Sequence, residues 1–122
     1  MKLLCSMICF QFLVMTGFGQ NNQTSLLPDT TKKIMLVEAS CGQCKLGLPG
    51  KSCDLAVRMN GKAYFVDGTV IDEHGDAHAK DGFCNAIRKA EVQGEIINDR
   101  FKATYFKLLP ATVKKTKAKT IQ

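Results

Sequence analysis

The sequence predicts a small, mostly β domain with one short helix, arranged as an OB-like five-stranded barrel. Three observations lead there. Apolar runs and turn signals give the order strand, strand, strand, helix, strand, strand (β-β-β-α-β-β), the order of a partly open barrel with a helix between strands three and four. Asn60-Gly61 stands between two alternating runs, a strong hairpin signal because a type I′ turn needs φ > 0 at both central residues. The elements fall within residues 34–110, a size that suits one such domain with one modest core. Element order alone does not close a barrel, so an α+β sheet with one packed helix is the alternative.

The first strand is the near-continuous apolar run Ile34 to Ser40. Cys41 to Ser52 contains Gly42, Gly47, Pro49 and Gly50, which predicts a loop. Asp54 to Met59 alternates, with Leu55, Val57 and Met59 on one face, and Lys62 to Asp67 returns across the hairpin. Gly68 to Lys80 is polar. A short helix is expected next, with Asp81 as N-cap and Phe83, Ala86, Ile87 and Ala90 at helical spacing. Arg88 and Lys89 would then suit its C-terminal dipole. Glu91 to Ile97 is a strand with Val92, Gly94 and Ile96 on one face. Asn98-Asp99 signals a second tight turn, and Arg100 to Leu109 closes the domain with Phe101, Ala103 and Tyr105 on one side.

The flanks carry a different signal. Met1 and Lys2 precede an apolar stretch from Leu3 to Met15, and small residues Thr16, Gly17 and Gly19 follow. That is the build of a secretory signal peptide, so residues 1–20 are expected to be removed near Gly19 or Gln20. The stretch is too short to span a bilayer, so stable membrane insertion after cleavage is not expected. The mature protein would be periplasmic or secreted. Residues 21–33 form a polar linker and residues 111–122 a basic, disordered tail. The 122-residue chain has a formal net charge of +6, but Lys114, Lys115, Lys117 and Lys119 of the tail supply most of it. The body is therefore near neutral, which argues against a nucleic-acid-binding face, as does an aromatic content of 7%. The tail is suited to weak contact with anionic surfaces. No other partner is implied.

Chemistry concentrates in the cysteines. Cys41-Gly42-Gln43-Cys44 is a C-x-x-C just after a strand, Cys53 lies beyond the glycine-rich loop, and Cys84 falls on the expected helix. An oxidising compartment favours disulfides among these four, with three pairings open. A metal site is the second reading: the C-x-x-C sets two thiolates on one turn, Cys53 supplies a third, and Cys84, His78 or His74 completes a tetrahedron. Such ligands suit zinc, or copper(I) where sulfur dominates. A redox dithiol is the third reading, but the chain has no tryptophan and no βαβ pattern surrounds the motif. Attached c-type haem would need a histidine where Lys45 stands. The segment His74-Gly75-Asp76-Ala77-His78 is expected to be an exposed loop.

No nucleophile elbow, phosphate-binding glycine loop or H-E-x-x-H occurs. Asp67, Asp72, Asp76 and Asp81 have no assigned acid and base roles, and no local signature supports Cys84 with His78 as a nucleophile pair. The sequence therefore favours binding over catalysis.

Val37-Glu38-Ala39-Ser40-Cys41-Gly42-Gln43-Cys44, Cys53-Asp54-Leu55-Ala56-Val57, Gly75 to Cys84, Arg88-Lys89-Ala90-Glu91-Val92 and Gly94-Glu95 together resemble a family of small exported bacterial proteins of unknown function, of the Bacteroidetes type. The resemblance covers about Val37 to Pro110. It implies export and a single small domain, marks Cys41, Cys44, Cys53, Cys84 and His78 as motif positions, and treats Asp76–Cys84 as one unit with the cysteine loop. It brings no activity. The function expected is an exported binding module holding a transition metal through Cys41, Cys44 and Cys84, helped by Cys53 or His78. The alternatives are a disulfide-stapled structural or ligand-binding domain and a thiol-disulfide oxidoreductase.

Overall fold

A computed structural model describes residues 24–111. The signal peptide expected at residues 1–20, and the expected basic tail beyond residue 111, lie outside the described residues. Five strands, β1 (Met35–Cys41), β2 (Leu55–Met59), β3 (Lys62–Asp67), β4 (Arg88–Ile97) and β5 (Arg100–Leu108), form a closed barrel in the order β1-β2-β3-β5-β4. This is the OB-like arrangement the element order predicts.

Closure depends on β1 serving two neighbours. Its first half pairs antiparallel with β4, from Met35↔Val92 to Ala39↔Arg88, and its second half with β2, from Glu38↔Arg58 to Cys41↔Leu55. A short parallel seam between β3 and β5, Val66↔Phe101 and Asp67↔Lys102, shuts the other side. The two hairpins form where the turn chemistry placed them: Asn60 and Gly61 have φ of 50° and 80°, and Asn98 and Asp99 have 51° and 62°, so all four central residues are left-handed. Alternating inward residues fill the interior, among them Val37, Ala39, Leu55, Val57, Val92 and Phe101. Val92 is fully buried, yet Ile96 on the same strand is 48% exposed. The cause is that β4 pairs with β1 only as far as Val92 and then runs on with β5 alone.

The helix expected from Asp81 to Ala90 does not form. Residues 76–86 are a chain of tight turns, and Arg88 to Ala90 belong to β4. The carbonyls a helix would have used are taken elsewhere: Phe83 O accepts the Cys41 N–H (3.0 Å), and the Ser40 hydroxyl lies 2.7 Å from Phe83 O and 2.8 Å from Ala86 O. Phe83 and Ala90 are buried as their spacing suggested, but by a turn and a strand rather than one helical face. Arg88, instead of facing a helix terminus, donates to Asp81 O (2.7 Å) and Leu109 O (2.8 Å), tying the turns to the end of β5. Between β3 and β4 the helical element is a single 3-10 turn, Ile71–His74. The short α-helix is α1 (Gly42–Lys45), inside the segment expected to be loop.

Residues 25–32 lie against the barrel. Ser25 N–H donates to Thr104 O (2.8 Å). The fully buried Gln93 accepts the Asp29 N–H and donates to Asp29 O and Lys32 O, each at 2.8 Å. Gln93 thus finds partners for its amide despite burial, as a buried polar group must.

Candidate metal and thiol site

The four cysteines meet at the end of the barrel where β1 finishes and β2 begins. Cys41 is the last residue of β1 and caps α1, and the Cys44 N–H donates to Cys41 Sγ at 3.1 Å. A C-x-x-C spanning one turn makes that bond possible, and a backbone N–H aimed at sulfur favours its anionic form. The turn packs tightly: a side chain at Gly42 would press on Phe65, Leu48 and Ala56, so only glycine lets α1 lie this close to the sheet. Cys41 and Cys44 are joined by a disulfide.

Cys53 is carried over this turn by the glycine-rich loop, which returns at Asp54. Gln43, the second of the two residues inside the C-x-x-C, anchors that return. Its Nε2 donates to Asp54 Oδ2 (2.6 Å) and its Oε1 accepts the Asp54 N–H (3.0 Å), while Gly42 N–H donates to Asp54 O (2.8 Å). Cys53 Sγ then sits 3.4 Å from Cys44 Sγ.

Cys84 arrives from the turns before β4. Its N–H donates to Ala77 O (2.9 Å), and the stretch is pinned to the end of β1 through Ser40 and Cys41. Gly82 permits the fold-back, since a side chain there would collide with the carbonyls of Asp76 and Ala77. Cys84 Sγ lies 3.6 Å from Cys53 Sγ. All four sulfurs fall within 4.8 Å of one another. Four thiolates around one zinc at about 2.3 Å stand about 3.8 Å apart, so the donor set and its spacing fit a tetrahedral thiolate centre once the disulfide is reduced.

The environment is graded. Cys41 is buried, Cys84 is half-buried, and Cys44 and Cys53 are exposed. Burial pushes the Cys84 thiol above its ordinary pKa, and the neighbouring Cys53 and the carboxylates of Asp72 and Asp76 push the same way. A cation at the cluster would reverse that penalty.

The histidines stand apart from the sulfurs. His78 is exposed, its N–H donating to Asp76 Oδ1 (2.9 Å), and it is not part of the cluster. His74 packs on Phe106 at 4.5 Å between ring centroids, with Nε2 2.8 Å from the Thr69 hydroxyl oxygen. Burial pushes its imidazole below the ordinary pKa, partly offset by the Glu73 carboxylate. Sequence reasoning did not single out Ser40, Gln43 or Asp54. A serine inside an apolar strand was a signal for the first; the other two carried none beyond their neighbours.

Barrel and site together define the class: an OB-like barrel with a four-cysteine cluster at one end. The chain belongs to a family described as a family of unknown function (DUF6370), whose model matches residues 35–109, a span containing every strand and all four clustered cysteines. No curated protein and no solved structure matches the chain.

Proposed function

We propose that this chain is an exported, non-enzymatic binding module whose four cysteines, when reduced, hold one thiophilic ion, zinc or copper(I). The observation that supports it is the convergence of four Sγ atoms within 4.8 Å, contributed by three separate stretches of chain. A bound ion supplies positive charge that the crowded thiolates otherwise lack. The chain's part is to hold the donors in place: the Cys44 N–H on Cys41, Gln43 on the loop that bears Cys53, and Ser40 on the turns that bear Cys84. Export rests on Lys2 and the apolar stretch ending at Met15, with the periplasm or the exterior as the destination.

The test is the native mass of reduced protein lacking residues 1–20, mixed with zinc or copper(I). One added ion is expected, and it is lost in Cys41→Ser. No added ion, or the same stoichiometry in that variant, sinks the proposal. The Cys41–Cys44 disulfide favours a second reading, a disulfide-stapled domain without metal. Protein purified from an oxidising compartment would then lack about four protons and carry no ion.

A further inference from the structure

We infer that the four cysteines form an intramolecular disulfide ladder, along which one disulfide passes from Cys41–Cys44 through Cys44–Cys53 to Cys53–Cys84. This goes beyond metal binding and requires no ion. The sulfurs are already placed as successive rungs. Cys41 is bonded to Cys44, Cys44 Sγ is 3.4 Å from Cys53 Sγ, and Cys53 Sγ is 3.6 Å from Cys84 Sγ. Those gaps are sulfur–sulfur contacts, so the partners are within reach, and each exchange needs side-chain rotation that brings the attacking sulfur into line with the bond it breaks.

Each step is a thiol–disulfide exchange. The Cys53 thiolate attacks Cys44 Sγ; the Cys53–Cys44 bond forms and the Cys44–Cys41 bond breaks. The electron pair leaves on Cys41 Sγ, which takes up a proton equivalent to the one Cys53 released. The Cys84 thiolate then attacks Cys53 Sγ, forming Cys84–Cys53 and breaking Cys53–Cys44. Cys44 leaves with the electron pair and takes up the equivalent of the Cys84 proton. One disulfide and two thiols enter, and one disulfide and two thiols remain, so neither oxidant nor reductant is consumed.

The surroundings shape the traffic. The Cys44 N–H on Cys41 Sγ stabilises the thiolate that leaves in the first exchange. The middle rung joins the two exposed cysteines, whereas the inner rung includes buried Cys41. The ladder therefore moves the disulfide off the buried Cys41 and onto more exposed sulfurs.

The experiment uses protein lacking residues 1–20, held in chelator and oxidised with one equivalent of diamide. Samples are alkylated at successive times, digested and mapped by mass spectrometry. The expected result is time-dependent labelling that passes from Cys53 and Cys84 toward Cys41 and Cys44, with a transient Cys44–Cys53 species. Cys84→Ser should stop at a mixture of Cys41–Cys44 and Cys44–Cys53. Cys53→Ser, which removes both later rungs, should leave the disulfide at Cys41–Cys44 and the label on Cys84. Wild-type labelling that stays on Cys53 and Cys84 for hours, with no mixed species in Cys84→Ser, overturns the ladder. Metal binding is read separately on the fully reduced protein, so either idea can fail alone.

Discussion

The side-chain amide of Gln43 brackets Asp54, donating through Nε2 to the carboxylate at 2.6 Å and accepting the backbone N–H through Oε1 at 3.0 Å. Because Asp54 follows Cys53, this pair fixes where the third sulfur sits over the C-x-x-C turn. Gln43 Oε1 also lies 3.8 Å from Cys41 Sγ, but neither bond to Asp54 involves a sulfur, and through them Gln43 acts as a positioning residue. Gln43→Ala should weaken zinc binding about 10- to 100-fold, the usual effect of losing a residue that orients a ligand. The unfolding free energy should fall only by about 0.5–1.5 kcal/mol, because the lost bonds are solvent-exposed. A competition titration with a chromophoric chelator, run beside urea denaturation, separates the two. Equal zinc affinity in the variant would show that Cys53 needs no such anchor.

Gly82→Ala addresses the fourth sulfur. The new methyl group would meet the carbonyls of Asp76 and Ala77, backbone atoms with little freedom to retreat. The turns that hold Phe83 in the core would have to shift, and Cys84 with them. Overpacking of this kind costs about 1–3 kcal/mol. Urea denaturation should show that loss, and zinc stoichiometry in the folded variant should fall because Cys84 no longer reaches Cys53. Wild-type stability in Gly82→Ala would mean that the 76–86 stretch is free to rearrange.

Where local chemistry fixes the backbone, the sequence was a good guide. Lys62–Asp67 emerged with the expected bounds because Asn60-Gly61 sets the register of its hairpin. Element order pointed to a barrel without closing it, and the seam that closes it rests on two parallel residue pairs that no local pattern announces. The expected helix failed for a tertiary reason. Phe83, Ala86 and Ala90 do recur at helical spacing, but Ser40 and the Cys41 N–H capture the carbonyls of that stretch, and Arg88 to Ala90 pair in register with β1. The C-x-x-C flagged its own turn, since two cysteines three apart are close in almost any compact conformation. That Cys53 and Cys84 join them depends on the return at Asp54 and the fold-back at Gly82, both long-range outcomes. His78 is near Cys84 in sequence, but its turn leaves it in solvent.

The parallel seam also carries a pH-sensitive contact. Arg100 Nε lies 3.0 Å from both Asp67 carboxylate oxygens, Arg100 Nη2 donates at 2.8 Å, and Lys102 Nζ is 3.4 Å away. These bonds, chiefly those from Arg100, hold the Asp67 carboxyl below its ordinary pKa. The sign follows from linkage. Above the unfolded value of about 4, Asp67 is ionised in both states and the pair contributes fully. As pH falls below that, the unfolded chain takes up the proton first, and the contribution shrinks until it vanishes below the folded pKa. Both side chains are partly exposed, so the contribution should stay below about 1 kcal/mol and weaken with salt. Urea denaturation of wild type and Asp67→Asn at pH 7 and pH 3 measures it. The stability gap between them should be present at pH 7 and smaller at pH 3. A gap of the same size at both would mean that the carboxylate charge contributes nothing, and that the Val66↔Phe101 and Asp67↔Lys102 backbone pairing alone holds β3 against β5.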